Sequence, residues 1–153
     1  MCLLAPELWD SKRFFKSEDE PWTALKKVNS GLNKYFGFEI PTLVKTEKEM
    51  KMISDAIPRN WRNDSVQRTD VAYLFPEIDS KKIIDELPVK REFIKARYVK
   101  GAIFWNVKRE NVYKSQLAKI ISDKLYKSMT VRNVNTARFL TENKKDASNI
   151  WVE

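Results

Sequence analysis

The stretch Phe93-Ile94-Lys95-Ala96-Arg97-Tyr98-Val99-Lys100-Gly101-Ala102-Ile103-Phe104-Trp105-Asn106-Val107 decides the architecture. Phe93 to Val99 and Ala102 to Val107 are β-branched and aromatic runs, and Lys100-Gly101 between them suits a tight hairpin. Upstream, Val71 to Phe75 is a short, nearly continuous apolar run that predicts a buried strand. Asp79 stands where it would cap a helix carrying Ile83, Ile84 and Leu87, which Pro88 ends. Downstream, Ser115 to Lys127 predicts an amphipathic helix that buries Leu117, Ile120, Ile121 and Leu125 and shows Lys119, Asp123 and Lys127 to water. A strand from Met129 to Asn133 follows, then a last helix capped by Asn135 and containing Ala137, Phe139 and Leu140. Strand, helix, strand, strand, helix, strand, helix is an α+β order, and with one hairpin in its middle it predicts a ferredoxin-like (split β-α-β) unit over the C-terminal two-thirds.

Ahead of that unit, Leu25, Val28, Leu32 and Phe36 recur at helical spacing, which gathers them on one face of a helix from Trp22 to Tyr35. Gly37 stands where a helix C-terminus wants positive φ. Phe38 to Lys45 predicts a strand that Pro41 confines to an edge or a bulge, so helix plus strand would be a truncated second unit of the same kind. Thr46 with Glu49 matches a capping box, opening a helix with the stripe Met50, Ile53 and Ile57 that stops before Pro58. Arg59 to Thr69 reads as a loop in which Trp61 is pinned to the core. The expected organisation is an irregular arm over 1–21, the helix-strand remnant over 22–45, the ferredoxin-like unit with flanking helices over 46–143, and a flexible tail over 144–153.

Composition removes whole classes of chemistry. With 153 residues the chain suits one domain, or two small subdomains sharing a core. It has no histidine, hence no imidazole base, no imidazole metal ligand and no Ser-His or Cys-His pair. The single cysteine, Cys2, can form neither an internal disulfide nor a Cys-x-x-Cys site, which suits a reducing compartment. Three glycines, Gly31, Gly37 and Gly101, cannot build a P-loop or a dinucleotide-binding turn. The opening residues lack the basic flank and apolar run of a signal peptide, and no stretch approaches a membrane span, so the expected setting is cytoplasmic, without a membrane partner. No cofactor, no metal and no catalytic residue is expected.

What remains is charge. Ten cations between Lys108 and Lys145 stand against Glu110, Asp123 and Glu142, leaving +7 of the chain's formal +8 in that stretch. Such a field attracts phosphate polymers, acidic proteins or anionic surfaces, and its bland alternative is solubility. A nucleic-acid face would use Lys114, Lys119, Arg132 and Arg138, with Tyr98, Phe104, Trp105 and Tyr113 offering stacking surfaces or, alternatively, filling the core. An anion or ligand site would draw on Tyr113, Ser115, Arg132, Asn133 and Asn135, with Arg132 as the clamp and the asparagines as donors. The same tract has a structural reading, in which Asn135 or Thr136 caps the last helix and Asn133 satisfies the turn.

Phe36-Gly37-Phe38-Glu39-Ile40-Pro41, Asp70-Val71-Ala72-Tyr73-Leu74-Phe75, Gly101-Ala102-Ile103-Phe104-Trp105, Tyr113-Lys114-Ser115 and above all Thr130-Val131-Arg132-Asn133-Val134-Asn135-Thr136 resemble the bacterial family named domain of unknown function 1697, over about residues 28–140. The resemblance implies a duplicated ferredoxin-like α+β fold and no established activity. Members usually open with a strand and an Arg-Gly-Ile-Asn-Val-Gly-Gly segment, which does not occur before Trp22. The first unit is therefore truncated or replaced, and the strand edge near 38–44 loses its usual neighbours. An uncovered apolar edge recruits another chain. The expectation is a homo-oligomer formed through that edge, or its coverage by the arm from Leu3 to Phe15.

Overall fold

Two antiparallel sheets hold the strands of the described residues. The computed structural model describes residues 20–39 and 41–142, with the backbone alone of 2–4, 13–14 and 21. Apart from these short pieces, the arm over 1–21 lies outside the described residues, as do Ile40 and the tail over 144–153 with Lys144 and Lys145.

The smaller sheet joins β1 (Cys2–Leu4), β2 (Arg13–Phe14) and β3 (Leu43–Lys45) in the order β2-β1-β3. Two short strands thus precede the helix, and one of them, β1, pairs with β3 from Cys2↔Lys45 to Leu4↔Leu43. The strand expected over Phe38 to Lys45 is shortened to three residues, since Pro41 has no N–H to donate. Between β2 and β3 runs α1 (Pro21–Phe36), which ends at Gly37 with φ 75°. The capping box opens α2 (Glu47–Asp55): Thr46 Oγ1 accepts from Glu49 N at 3.2 Å while Thr46 N donates to Glu49 Oε2 at 2.7 Å. A cap of this type contributes about 1 kcal/mol.

The larger sheet consists of β4 (Gln67–Leu74), β5 (Ile94–Val99), β6 (Ala102–Lys108) and β7 (Met129–Asn133), antiparallel throughout in the order β5-β6-β4-β7. Both its faces are covered, which explains why β4 and β6 read as continuous apolar runs. On one face Val71, Tyr73 and Phe104 meet Met50, Ile53 and Ile57 of α2 and its C-terminal extension. Trp61 joins that layer, as do Val134, Ala137 and Leu140 of α5 (Val134–Glu142). On the other face Ala72, Leu74, Ile103 and Trp105 meet α3 (Ile83–Glu86), Leu87, Leu117 and Ile120 of α4 (Lys119–Ser122).

Three local expectations are corrected. Asp79 caps no helix: its Oδ1 accepts from Gly101 N at 2.8 Å and from Tyr98 Oη at 3.0 Å, and α3 begins only at Ile83. The long helix over Ser115 to Lys127 is broken into α4 and a 3-10 turn at Lys124–Ser128, with Gln116 at φ 58°. Its polar residues cause the break. Ser115 Oγ donates to Val112 O at 2.7 Å and accepts from Leu117 N at 3.3 Å, and Asp123 caps the second piece through Leu125 N. In consequence Ile121 is exposed instead of buried. Finally, Asn133 and not Asn135 caps α5, accepting from Thr136 N at 2.9 Å.

The hairpin turn is tied to the smaller sheet. Gly101 holds φ 86°, and a β-carbon there would stand 2.7 Å from Lys45 Nζ. Burial lowers the Lys45 pKa below 10.5, opposed by the charges of Glu49 and Asp79. Desolvation, then the hydrogen bond to Asp79, raises Tyr98 above 10.0. The folded chain therefore keeps the phenol proton longer than the unfolded chain. The stability it contributes is complete below pH 10.0 and is lost as the pH rises through the folded value. Lys45 has the opposite sign, gaining stability with pH toward 10.5, and is common to both chains in a comparison with Tyr98→Phe. The difference in urea stability between wild type and Tyr98→Phe is expected to stay constant up to about pH 10 and to shrink above it. A constant difference through that range would show that Tyr98 does not carry the alkaline loss.

Candidate functional site

The register of the larger sheet sets Asn133, Asp70 and Trp105 side by side across β7, β4 and β6. Two residues before Asp70 on the same face stands Arg68. These four residues form one wall and the floor of a cleft of about 990 Å³, whose other wall is the segment running from Arg109 to α4. Asp70 is nearly buried, with a side chain 6% exposed, and its Oδ2 accepts from Arg68 Nε at 2.7 Å and from Trp105 Nε1 at 3.2 Å.

Ser115 gives the opposite wall its shape. It is fully buried, and its hydroxyl and backbone bonds turn the chain so that Leu117 points into the core while Tyr113 and Lys114 stand outside it. Tyr113 is 95% exposed at the rim. Its neighbour Arg109 is locked in place, with Nε donating to Asp64 O and Nη2 to Asn63 Oδ1, both at 2.9 Å. The Asp64 turn that receives it is set by Gln67 N and Val66 N, whose hydrogen bonds hold the Asp64 carboxyl below its ordinary 3.8, with Arg62 and Arg109 adding to the effect.

Six cations, Arg68, Lys90, Arg109, Lys114, Lys119 and Arg132, line the cleft against one carboxylate, Asp70. Arg132 lies on the edge strand β7, with Nη1 donating to the carbonyl of Val131 at 2.7 Å. Lys90, Lys114 and Lys119 are exposed and form no ion pair among the described residues. Phe93 and Tyr126 add ring surface to the lining. Among the described residues no group of three His, Cys, Asp or Glu is placed to hold a metal ion, and no helix is long and apolar enough to cross a membrane.

Of the residues singled out in the sequence, the cleft brings together Trp105, Tyr113, Lys114, Lys119, Arg132 and Asn133. Ser115 lies behind the wall as its pin. Asn135 is exposed and is not among the lining residues; its Nδ2 donates to Asn63 O at 3.3 Å. Arg138 belongs elsewhere: it donates from Nη2 to Pro58 O at 3.1 Å, beside the α2 and α5 layer. Phe104 fills one core face and Trp105 the other; Trp105 reaches the cleft floor but is only 2% exposed, so neither offers an open stacking platform. Arg68, Asp70, Lys90 and Asn63 were not singled out. The one available signal was a charged pair at alternate positions, Arg68 and Asp70, heading an otherwise apolar strand.

The sequence matches the family described as "Protein of unknown function (DUF1697)" over residues 13–105. The tract Thr130 to Thr136, on which the resemblance leaned most, lies outside the matched residues. No curated protein matches the chain. Among solved structures, the conserved bacterial protein SP0830 from Streptococcus pneumoniae is similar in fold, with a TM-score of 0.69 at 16% identity, covering 92% of this chain and 94% of that one.

Proposed function

Because the chain belongs to DUF1697, a family described only as proteins of unknown function, we propose its function from the cleft itself: a basic module that binds single-stranded nucleic acid. The observation that carries this is the lining, six cations to one carboxylate, with the exposed ring of Tyr113 at the rim. Cations along a groove track a phosphate backbone, and rings beside them stack bases without needing a fixed sequence. The strand order β5-β6-β4-β7, with α3 and α4 on one face, supports the finer fold reading, a ferredoxin-like split β-α-β unit. Its sheet is covered on both faces, so binding falls to the cleft at the β7 edge.

Fluorescence anisotropy with a labelled single strand of about 12 nucleotides tests the proposal. Binding is expected at low salt, with log K falling by about 0.7 per neutralised phosphate for each tenfold rise in salt. No binding at low salt, or binding indifferent to salt, would remove the proposal. Displacement by inorganic phosphate or a mononucleotide as effective as by the oligonucleotide would instead favour a small-anion site around Arg132.

A second reading, association of copies beside β3, is favoured by the exposed rings at the end of α1. Tyr35, Phe36 and Phe38 are 84%, 40% and 57% exposed and pack on one another with centroids 4.9 and 6.0 Å apart. Light scattering on the same samples checks it, and a concentration-independent monomer would rule it out.

A further inference from the structure

Beyond nucleic acid, we propose that the cleft takes a second kind of partner: an extended acidic peptide that adds to the larger sheet as a further strand beside β7. β7 is an edge strand, paired on one side with β4. Along an antiparallel pair, one residue turns its N–H and C=O to the partner strand and the next turns them away. Phe75 N donates to Ser128 O at 3.0 Å, and in the same register Thr130 and Arg132 turn their backbone groups to Tyr73 and Val71. The other side of β4 agrees, since Leu74 N donates to Gly101 O and so leaves the alternate residues of β4 to face β7. Met129, Val131 and Asn133 therefore turn their backbone groups outward. Met129 N already donates to Tyr126 O, and Val131 O accepts from Arg132 Nη1, a bond that an incoming N–H would replace. No described residue accepts from Val131 N–H or Asn133 N–H.

Val131, Arg132 and Asn133 line the cleft, so the open edge gives onto it. A nucleic-acid strand has no peptide groups to continue the ladder, whereas an extended peptide has one per residue. In such additions the main chain supplies affinity and alternate side chains supply selectivity. The charge of the cleft names those side chains. A strand beside β7 would set every second residue on the face that Val131 and Asn133 share. Val131 packs in the layer of Leu117 and Ile120, so that face lies under the segment carrying Lys114 and Lys119. Glutamate or aspartate at alternate positions would meet those lysines, and the residues between need only favour a strand. Peptide and single strand would use the same cations and so exclude one another.

The test follows the anisotropy of a labelled peptide of about six residues alternating glutamate and threonine, on the wild-type chain and on Val131→Pro. Proline there removes the outward N–H and spares the bonds to β4, the kind of position at which an edge strand tolerates it. Wild type is expected to bind the peptide and to release it to the oligonucleotide. Val131→Pro is expected to bind the peptide about tenfold more weakly and the oligonucleotide unchanged. No peptide binding by a chain that binds the oligonucleotide would overturn the strand addition and leave the proposed function standing. Equal peptide binding by wild type and Val131→Pro would also overturn it, since charge alone would then hold the peptide. A bound oligonucleotide that does not displace the peptide would overturn it as well, by placing the peptide outside the cleft. Peptide binding that needs the Val131 N–H, in a chain that binds no oligonucleotide, would support the strand addition and overturn the nucleic-acid reading. Should Val131→Pro fail to fold by circular dichroism, the same peptide methylated at every backbone nitrogen decides on the wild-type chain. It keeps the charge and cannot donate to a ladder, so about tenfold weaker binding is expected, and equal binding would overturn the proposal.

Discussion

Replacing Phe104 by alanine is expected to cost about 3–5 kcal/mol, a large part of the roughly 5–15 kcal/mol available to a domain. Phe104 is fully buried at the middle of β6, paired in register with Val71 on one side and Arg97 on the other. Its ring meets Trp61 edge-on at 6.4 Å, an arrangement that adds to simple area burial. Trp61 is covered in turn by the guanidinium of Arg97, 5.7 Å from the ring centre. Removing the ring would leave a void between the sheet and α2 that neighbouring strands, fixed by their ladders, cannot close. Urea unfolding at constant m measures the loss. Phe104→Leu, which keeps most of the volume, is expected to lose much less. A loss below about 1.5 kcal/mol for the alanine variant would mean that the layer under α2 can collapse, contrary to the packing described.

Phe104 also marks what could be read in the residues alone. The hairpin, the strand from Val71 onward, the capping box and the pinning of Trp61 are local patterns whose outcome the long-range packing reinforces. Where a polar side chain had two possible partners, the nearer backbone did not always win. Asp79 bonds Tyr98 and the turn at Gly101, nineteen and twenty-two residues away, rather than capping α3. The apolar spacing of Leu117, Ile120, Ile121 and Leu125 suggested one helix, but Ser115 and Asp123 bond the backbone in competition with it. The cleft was half legible. Tyr113, Lys114, Lys119, Arg132 and Asn133 lie close in sequence and were gathered by charge and by the tract around Arg132. Their counterparts Arg68, Asp70 and Lys90 come from other elements and join them only through the register of β4 with β6 and β7. No periodicity within a single segment encodes that meeting.

Neutralising Lys90, Lys114 and Lys119 together to alanine is expected to lower affinity for a single strand by roughly 10²–10³-fold at about 50 mM salt. Five cleft cations that each neutralise one phosphate, Arg68 being paired with Asp70, would give a slope of log K against log salt near −3.5, at about 0.7 per contact. Removing three should bring it to about −1.4. These three lysines are the suitable probes because they are exposed and carry no ion pair among the described residues. Arg68 and Arg109, by contrast, are bonded to Asp70 and to the Asn63–Asp64 turn, so their removal would disturb the walls as well as the charge. The control must remove the same net charge elsewhere. Lys34, Lys48 and Lys81 are exposed and lie outside the lining. If binding reflected only the overall +8, the control triple would weaken it as much as the cleft triple. Contacts are local whereas the general field is screened within about 10 Å at 0.1 M salt, so the control is expected to leave the slope near −3.5. Equal slopes for the two triples would place the binding outside the cleft.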